Sequence, residues 1–324
     1  MLAKRRILKV GESSEFRTPM LLPSFSSKGF PKVRETLKTM EEYIADEILV
    51  SAYDLHYKFI EGPFDFASLI YLDSGGYESS KDAELSETYE LEHKPREWDA
   101  KKLQEILENW TSTSPTICVS FDHPKNRVSI PEQIERAKEL NLKHANHGRA
   151  LLLKPESEKS VRLDLKSILP HVKKMTGFSV IGVTEKEIGN SLLSRMVNIA
   201  KLRIALNEHH VDLPIHIFGS LDTIATYLYF LAGADIFDGL TWLRYAFSDG
   251  DTIYRHAYGM MKLPFTTNTD LVEARCWSNN YQYMQDMKLT MQRFIIDRDF
   301  SHFGKHAELI QRAYQDMNAH LEGA

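Results

Sequence analysis

The chain has 324 residues, 43% apolar and 10% aromatic, which is enough apolar material for a sizeable core. Its formal net charge of −5 argues against a protein that coats nucleic acid non-specifically, although 40 basic residues can still concentrate on one face. No apolar run approaches the roughly 18 residues of a membrane helix, and the basic start lacks the apolar stretch of a signal peptide. We therefore expect a cytoplasmic protein with no membrane segment.

Short runs rich in Ile, Val, Leu and Phe recur along the chain. They predict strands at 19–25, 47–53, 69–73, 116–122, 150–154, 178–183, 215–219 and 236–240. Helical periodicity occupies gaps between these runs, at 99–110, 130–140, 188–206 and 221–232. Continuously apolar strands suit a parallel sheet covered by helices, and no Gly-rich dinucleotide motif follows the first strand. The sequence therefore predicts an α/β fold, a (β/α)8 TIM barrel.

Two segments do not fit the repeat. The segment 77–96 is polar and rich in glutamate, and we expect it to be an excursion inserted after the third strand. The stretch 263–324 reads as mostly helical. We therefore predict a barrel over 1–262 and a helical C-terminal appendage over 263–324 that packs on it.

Polar residues that close apolar strands are the first candidates for chemistry, because active sites of such barrels form at the carboxyl ends of the strands. Asp73, Asp122 and Asp238 stand at such positions, and Glu187 follows the sixth strand. Asp238 interrupts an apolar run, where an unpaired charge is costly. An N-cap or turn role for Asp238, and a plain turn role for Asp73, remain the alternatives.

These motifs, taken in order, resemble those of the tRNA-guanine transglycosylase family over about residues 17–244. Asp73-Ser74-Gly75-Gly76-Tyr77 resembles the family's DSGG(F/Y)Q signature, and the segment 233–238 resembles its GxDxFD segment. Shorter matches stand at other strand ends: 121–122, 182–187, 218–219 and Arg244.

The resemblance implies that Asp238 is a nucleophile and that Asp73 donates and accepts the proton of the exchanged base. It also implies a set of substrate-binding residues: Ser74, Gly76, Tyr77, Asp122, Gly182, Glu187, Phe218, Gly219 and Arg244. We add Lys154 to this set, although it departs from the family, because it closes the fifth strand near where the family uses glutamine. Within this set, Asp122 would read the base, and Tyr77 and Phe218 would sandwich it. Two alternatives stay open, since Lys154 either contacts a carbonyl oxygen of the base or pairs with a carboxylate, and Glu187 either faces the incoming base or begins a helix.

The chain departs from the family at its usual zinc site, because the closely spaced cysteines are absent. Cys276, His302 and His306 make only a weak metal hypothesis, so we assign neither metal nor cofactor. Glu78 also stands where the signature has glutamine.

The resemblance implies exchange of guanine in tRNA, or in DNA in a divergent branch, for a 7-deazaguanine derivative through a covalent aspartyl intermediate. The expected partners are the nucleic acid and the free base, and a homodimer stays open. One alternative is an aldolase-like barrel that uses Lys154 as a Schiff-base amine. The other is an accessory nucleic-acid-binding subunit without activity, against which the retention of Asp73 and Asp238 argues.

Overall fold

The computed structural model describes residues 1–80, 93–122, 125–140 and 147–323. Within these ranges the strands are β1 Ile7–Val10, β2 Ser14–Arg17, β3 Met20–Phe25, β4 Glu47–Ser51, β5 Leu69–Asp73, β6 Thr116–Val119, β7 His147–Leu152, β8 Val180–Thr184, β9 Ile215–Phe218, β10 Ile236–Gly239, β11 Ala246–Ser248 and β12 Asp251–Ile253. The helices are α1 Val33–Met40, α2 Ala52–His56, α3 Ala100–Glu108, α4 Ile130–Lys138, α5 Leu165–Ile168, α6 Leu192–Glu208, α7 Ala225–Leu231, α8 Thr241–Arg244, α9 Arg255–Lys262, α10 Thr269–Asp297 and α11 Ala307–Glu322.

Eight strands form a closed barrel in the order β10, β3, β4, β5, β6, β7, β8 and β9. The recorded pairings between them are parallel, as in β4 with β5 and in β10 with β3. The fold is therefore the predicted α/β barrel, with strands at the eight predicted positions. The two short two-stranded sheets, β1 with β2 and β11 with β12, were not predicted, because runs of three or four mixed residues carry little periodicity.

The chain divides into two compact units. Unit 1 comprises Met1–Arg6, Arg17–Pro23 and Thr184–Ala324, and unit 2 comprises Ile7–Phe16 and Ser24–Val183. This division cuts through the predicted barrel domain, and the predicted boundary at residue 263 stays a prediction. The stretch 81–92 of the predicted excursion lies outside the described residues, and no helix or strand is formed over 93–99.

The core of unit 2 follows directly from its strand sequences. Every residue of β4 and β6 is buried, as are all residues of β5 except Asp73 at its carboxyl end. Strands buried on both faces need apolar residues at successive positions, which explains why these runs do not alternate. The charged, serine and threonine side chains of these three strands therefore lie at the first or last strand position, at Glu47, Ser51, Asp73 and Thr116.

The C-terminal stretch of unit 1 is helical, as predicted. Asn280, fully buried in α10, donates to the carbonyls of Trp242 and Tyr245 and accepts from the amide of Phe247. These bonds fix α10 against the segment that follows β10. No helix among the described residues is long and apolar enough to span a membrane.

A buried ionic network holds the start of β10 within unit 1. Asp235 is 1% exposed, and its carboxylate contacts Arg6 at 2.7 Å and Arg203 at 2.6 Å. The same carboxylate accepts a hydrogen bond from the amide of Ile215 at 2.9 Å. Burial lowers the pKa of Arg203 to about 10, and the charge of Asp235 opposes that change. The network therefore ties the N-terminal segment, α6 and the first residue of β9 to one carboxylate.

We predict that Asp235→Ala lowers the free energy of unfolding by about 3–5 kcal/mol, because it leaves two buried guanidinium groups without their carboxylate. Urea unfolding followed by circular dichroism measures the change. Asp212→Ala is the matched control, since Asp212 contacts Arg6 at 3.3 Å but its side chain is 82% exposed. The control should lose less than about 1 kcal/mol. Equal losses in both variants would contradict this account.

Candidate active site

Asp238 in β10 is a buried carboxylate with described hydrogen-bond partners in unit 1. It is 6% exposed, and its Oδ1 lies 3.0 Å from Nε2 of His216 and 3.2 Å from the amide nitrogen of Gly219. Its carbonyl oxygen accepts from the amides of Ser220 and Leu221, so the loop after β9 is tied to β10. The N-cap alternative for Asp238 is wrong, because α8 begins at Thr241 and the residue at its N-cap is Leu240.

Two predicted binding residues, Phe218 and Gly219, adjoin Asp238. The ring of Phe218 stacks on the imidazole of His216, with centroids 3.8 Å apart and an angle of 26° between the planes. Gly219 is exposed, has φ +78°, and has open space where a side chain would stand. A positive φ favours glycine, and the missing side chain leaves the surface beside Asp238 open to a ligand.

His216 was missed by the sequence analysis. It is fully buried within β9, where a run of apolar residues hid it. A usable signal was present, because residues two apart in a strand face the same side and His216 precedes Phe218 by two. Once Phe218 was predicted to face the base, His216 could have been predicted to face the same side of β9.

Asp73 ends β5 in unit 2 and is half-buried. Its Oδ2 accepts a hydrogen bond from the amide of Gly75 at 3.3 Å, so the turn contact proposed as its alternative role is present. Asp73 and Asp238 lie in different units, and their action on one base stays a prediction.

Asp122 is fixed by three residues of unit 2. Ser74 donates to its Oδ1 at 2.5 Å, and Nζ of Lys154 lies 3.4 Å from its Oδ2. The backbone of Gly76 approaches so closely that an added Cβ would stand 2.3 Å from Oδ1. The structure thus brings four predicted binding residues together. Of the two alternatives for Lys154, the pairing with a carboxylate is present.

A cavity of about 370 Å³ lies beside this group in unit 2. It is lined by Asp122 and Lys154 of the predicted residues, by Ser120 and Phe121 before them, and by side chains of α3 and α4. Its volume is within the range of small-molecule sites. Asp73, Ser74, Gly76, Tyr77 and Gly182 are not among its described lining residues.

The loop that follows β5 is anchored by buried polar groups. Glu78 is 2% exposed and accepts hydrogen bonds from Ser26 at 2.5 Å and Ser51 at 2.8 Å. Nζ of Lys28 donates to the carbonyl of Tyr77 at 2.9 Å and lies 4.3 Å from the centre of its ring. Glu78 therefore anchors the loop to the ends of β3 and β4, because each of its two carboxylate oxygens accepts a hydrogen bond from a serine hydroxyl group.

Asp54 is a second buried carboxylate in this region. Burial raises its pKa well above the ordinary value, and the negative charges of Glu78 and Asp73 raise it further. Hydrogen bonds from the hydroxyl group and the amide of Ser27 oppose these effects. The carboxyl groups of Asp54 and Asp73 are therefore close enough to interact electrostatically.

The remaining predicted residues are dispersed. Gly182 is buried in β8, and its carbonyl accepts from the amide of Leu153. Glu187 is half-buried and accepts from the hydroxyl group of Thr184. Its helix-start alternative is wrong, because α6 begins at Leu192 after the N-cap Ser191. Arg244 is half-buried at the last position of α8.

The residues of the metal hypothesis have other contacts in unit 1. His302 pairs with Asp297 at 2.7 Å, and His306 pairs with Asp251 at 2.8 Å. Cys276 packs in an apolar cluster, and burial raises the pKa of its thiol to about 11. Across the described ranges no group of three or more His, Cys, Asp or Glu side chains has the arrangement of a metal site.

No protein-family model matches the chain, and no curated protein matches it significantly. The family resemblance therefore depends on the motifs and the residues described above.

We predict that Gly76→Ala lowers the free energy of unfolding by about 1–3 kcal/mol, because the new methyl group displaces the carboxylate of Asp122. The same substitution in an Asp122→Ala background should cost less, since the nearest obstructing atoms are gone. A double-mutant cycle by urea unfolding measures the difference. Additive losses would show that the clash is not with Asp122.

We predict a pH dependence of stability that belongs to Asp54. A carboxyl group with a raised pKa binds its proton more tightly in the folded state, so its contribution to stability falls as pH rises above the ordinary value of 3.8. The slope is at most about 1.4 kcal/mol per pH unit for one proton. Urea unfolding over a pH series should give Asp54→Asn a flatter profile than the parent protein. Parallel profiles would contradict the assignment.

Proposed function

We propose that the protein is a base-exchange transglycosylase that replaces guanine in a nucleic acid with a 7-deazaguanine derivative. The observation that carries the proposal is the carboxylate of Asp238, 6% exposed in β10, held by an imidazole and an amide beside the open surface at Gly219. A buried carboxylate that adjoins open space is suited to form and release a covalent bond. The motif order that resembles the tRNA-guanine transglycosylase family supports the same reaction.

In the proposed reaction Asp238 acts as the nucleophile. Its carboxylate attacks the anomeric carbon, the glycosidic bond breaks, and the bonding electron pair goes to the base nitrogen. The sugar carries positive charge in the transition state, which a nearby carboxylate stabilises. The incoming base then attacks the same carbon, and the electron pair of the ester bond returns to Asp238.

Asp73 handles the proton in this proposal. The departing guanine takes a proton from the carboxyl group of Asp73, and the incoming base returns one to it. One group serves both half-reactions because the second is the reverse of the first in proton transfer. Asp73 interacts electrostatically with the buried carboxyl group of Asp54, so a second acidic group lies close to the proposed proton transfer.

Asp122 and Lys154 read the base in this proposal. Their side chains are 10% and 12% exposed and together offer an acceptor and a donor next to the cavity. The amide edge of guanine offers the matching groups, an N–H and a carbonyl oxygen. Ser74 and Gly76 hold Asp122 in place for this contact.

The other residues of the predicted set shape the surroundings of the base. Tyr77 and Phe218 would stack on its two faces, because a base taken out of a nucleic acid needs aromatic or apolar surfaces. Lys28 supports the position of Tyr77. Gly182 and Gly219 would line the slot for the base, and Glu187 would face the substituent of the incoming base. Arg244 stays in the proposed set of substrate-binding residues.

The proposed partners are tRNA or DNA and the free base, and the reaction as written asks for no cofactor. The ion pair of Lys154 with Asp122 favours a binding role for this lysine over a Schiff-base amine, since a catalytic amine of that type is activated by desolvation or by a cationic neighbour. The placement of Asp238 with two hydrogen-bond donors likewise favours an enzyme over an accessory subunit.

We predict that the purified protein incorporates radiolabelled guanine into tRNA or into duplex DNA, and that Asp238→Asn abolishes incorporation while Asp73→Asn reduces it at least about 100-fold. A denaturing gel should show a covalent adduct between protein and nucleic acid that the Asp238→Asn variant does not form. Asp212→Asn is the matched control, because this exposed carboxylate lies outside the site.

Full activity of Asp238→Asn would exclude it as the nucleophile. Label in neither polymer would reject the proposed reaction, and trapping of a carbonyl substrate on Lys154 by borohydride would then favour the aldolase-like alternative.

A further inference from the structure

We infer that His216 is a positioning residue for the nucleophile, an inference that rests on the proposed function. The imidazole is fully buried in β9, and its Nε2 lies 3.0 Å from Oδ1 of Asp238. The sequence motifs assign no role to this position. Histidine is also less common than apolar residues at fully buried positions, so a hydrogen bond from its ring helps to explain its presence there.

The contact fixes the orientation of the carboxyl group. Nε2 of His216 and the amide of Gly219 both meet Oδ1, from two directions set by the end of β9. Two donors on one oxygen oppose rotation of the carboxyl group about its Cβ–Cγ bond. With Asp238 ionised, Nε2 of His216 carries the proton that it donates.

The imidazole is itself held by stacking. Its ring lies 3.8 Å from that of Phe218, two residues along the same strand. Stacking restrains the rotation that would turn Nε2 away from Asp238. Phe218 is also the residue proposed to stack on the base, so one aromatic pair connects the position of the base to the orientation of the nucleophile.

Orientation matters because attack requires the carboxylate oxygen to be aligned with the breaking glycosidic bond. In the forward step an oxygen of Asp238 bonds to the anomeric carbon while the base leaves with the electron pair. In the second step that carbon–oxygen bond breaks, and the pair returns to the carboxylate. The proton on Nε2 of His216 stays in place in both steps, so the residue positions the nucleophile and exchanges no proton with the substrate.

Three substitutions separate the hydrogen bond from the packing. His216→Phe keeps an aromatic ring to stack on Phe218 but has no donor. His216→Gln places an amide nitrogen as many bonds from Cβ as Nε2 of histidine, so it restores the donor without the ring. His216→Asn places its amide nitrogen one bond closer and serves as the matched control, because it is polar but does not reach Asp238.

We expect kcat for guanine exchange to fall about 10- to 100-fold in His216→Phe, as for loss of one hydrogen bond to a charged group. The KM for the free base should change less than about twofold, because the stacking surface is kept. His216→Gln should recover activity to within about fivefold of the parent, and His216→Asn should not. The rate of adduct formation on denaturing gels should follow the same order.

Other outcomes overturn the inference. If His216→Gln is as slow as His216→Phe while both keep the thermal unfolding midpoint of the parent, restoring the donor does not restore activity, and the hydrogen bond to Asp238 is not the reason for the loss. If His216→Phe raises the KM alone, the residue serves base binding through Phe218. If His216→Phe does not fold, the contrast between the Gln and Asn variants decides.

Failure of the proposed function gives a different result. If the parent protein incorporates no guanine, the proposed reaction is rejected and the inference falls with it. If the parent is active, Asp238→Asn is inactive and all three His216 variants match the parent, only the positioning role is rejected.

Discussion

The buried carboxylate of Asp235 is the constraint on which the placement of the candidate nucleophile depends. It compensates two guanidinium groups and binds the amide that begins β9, so it fixes where β9 and β10 start relative to each other. The strands then pair with Ile236 opposite His216 and Phe237 opposite Ile217. In this register Asp238 lies beside the carboxyl end of β9, where His216 and Gly219 reach it. A slip by one residue would turn each side chain of β10 to the other face.

Two aspartates in one short segment thus have different electrostatic surroundings. The carboxylate of Asp235 forms ion pairs with two arginine side chains, which compensates the cost of burying its charge permanently. The donors described at Oδ1 of Asp238 are an imidazole and a backbone amide. Neither of these described partners is a Lys or Arg side chain, which is compatible with the proposed role of Asp238 as a nucleophile. Asp235, immediately before β10, is therefore a structural carboxylate, and Asp238 within β10 is the proposed nucleophile.

The sequence predicted the barrel because each buried strand is a continuous apolar run, and the helices between them have clear periodicity. The family resemblance, together with the position of Lys154 after the fifth predicted strand, put Ser74, Gly76, Asp122 and Lys154 in one predicted set, and the structure brings these four residues together. The sequence did not predict His216, since one polar residue in an apolar strand does not alter the pattern. Nor did it predict the anchoring of Glu78 by Ser26 and Ser51, which are 52 and 27 residues away in the chain. Such contacts depend on the tertiary fold, and no local pattern reports them.

The arrangement around Asp122 also bears on the choice of base. Its Oδ1 is engaged by Ser74 at 2.5 Å, whereas the contact of Oδ2 with Lys154 is longer, at 3.4 Å. A ligand N–H group can therefore compete more easily for Oδ2 than for Oδ1. Lys154 has three donor hydrogens and a flexible stem, so it can turn from the carboxylate to a carbonyl oxygen of the same ligand. A base with adjacent N–H and carbonyl groups can donate to Asp122 and accept from Lys154 at once. A base with the donor and acceptor in the reverse order would leave the carboxylate of Asp122 without a donor and the ammonium group of Lys154 without an acceptor. Under the proposed function, this pair would therefore select for the amide edge that guanine and its 7-deaza derivatives share.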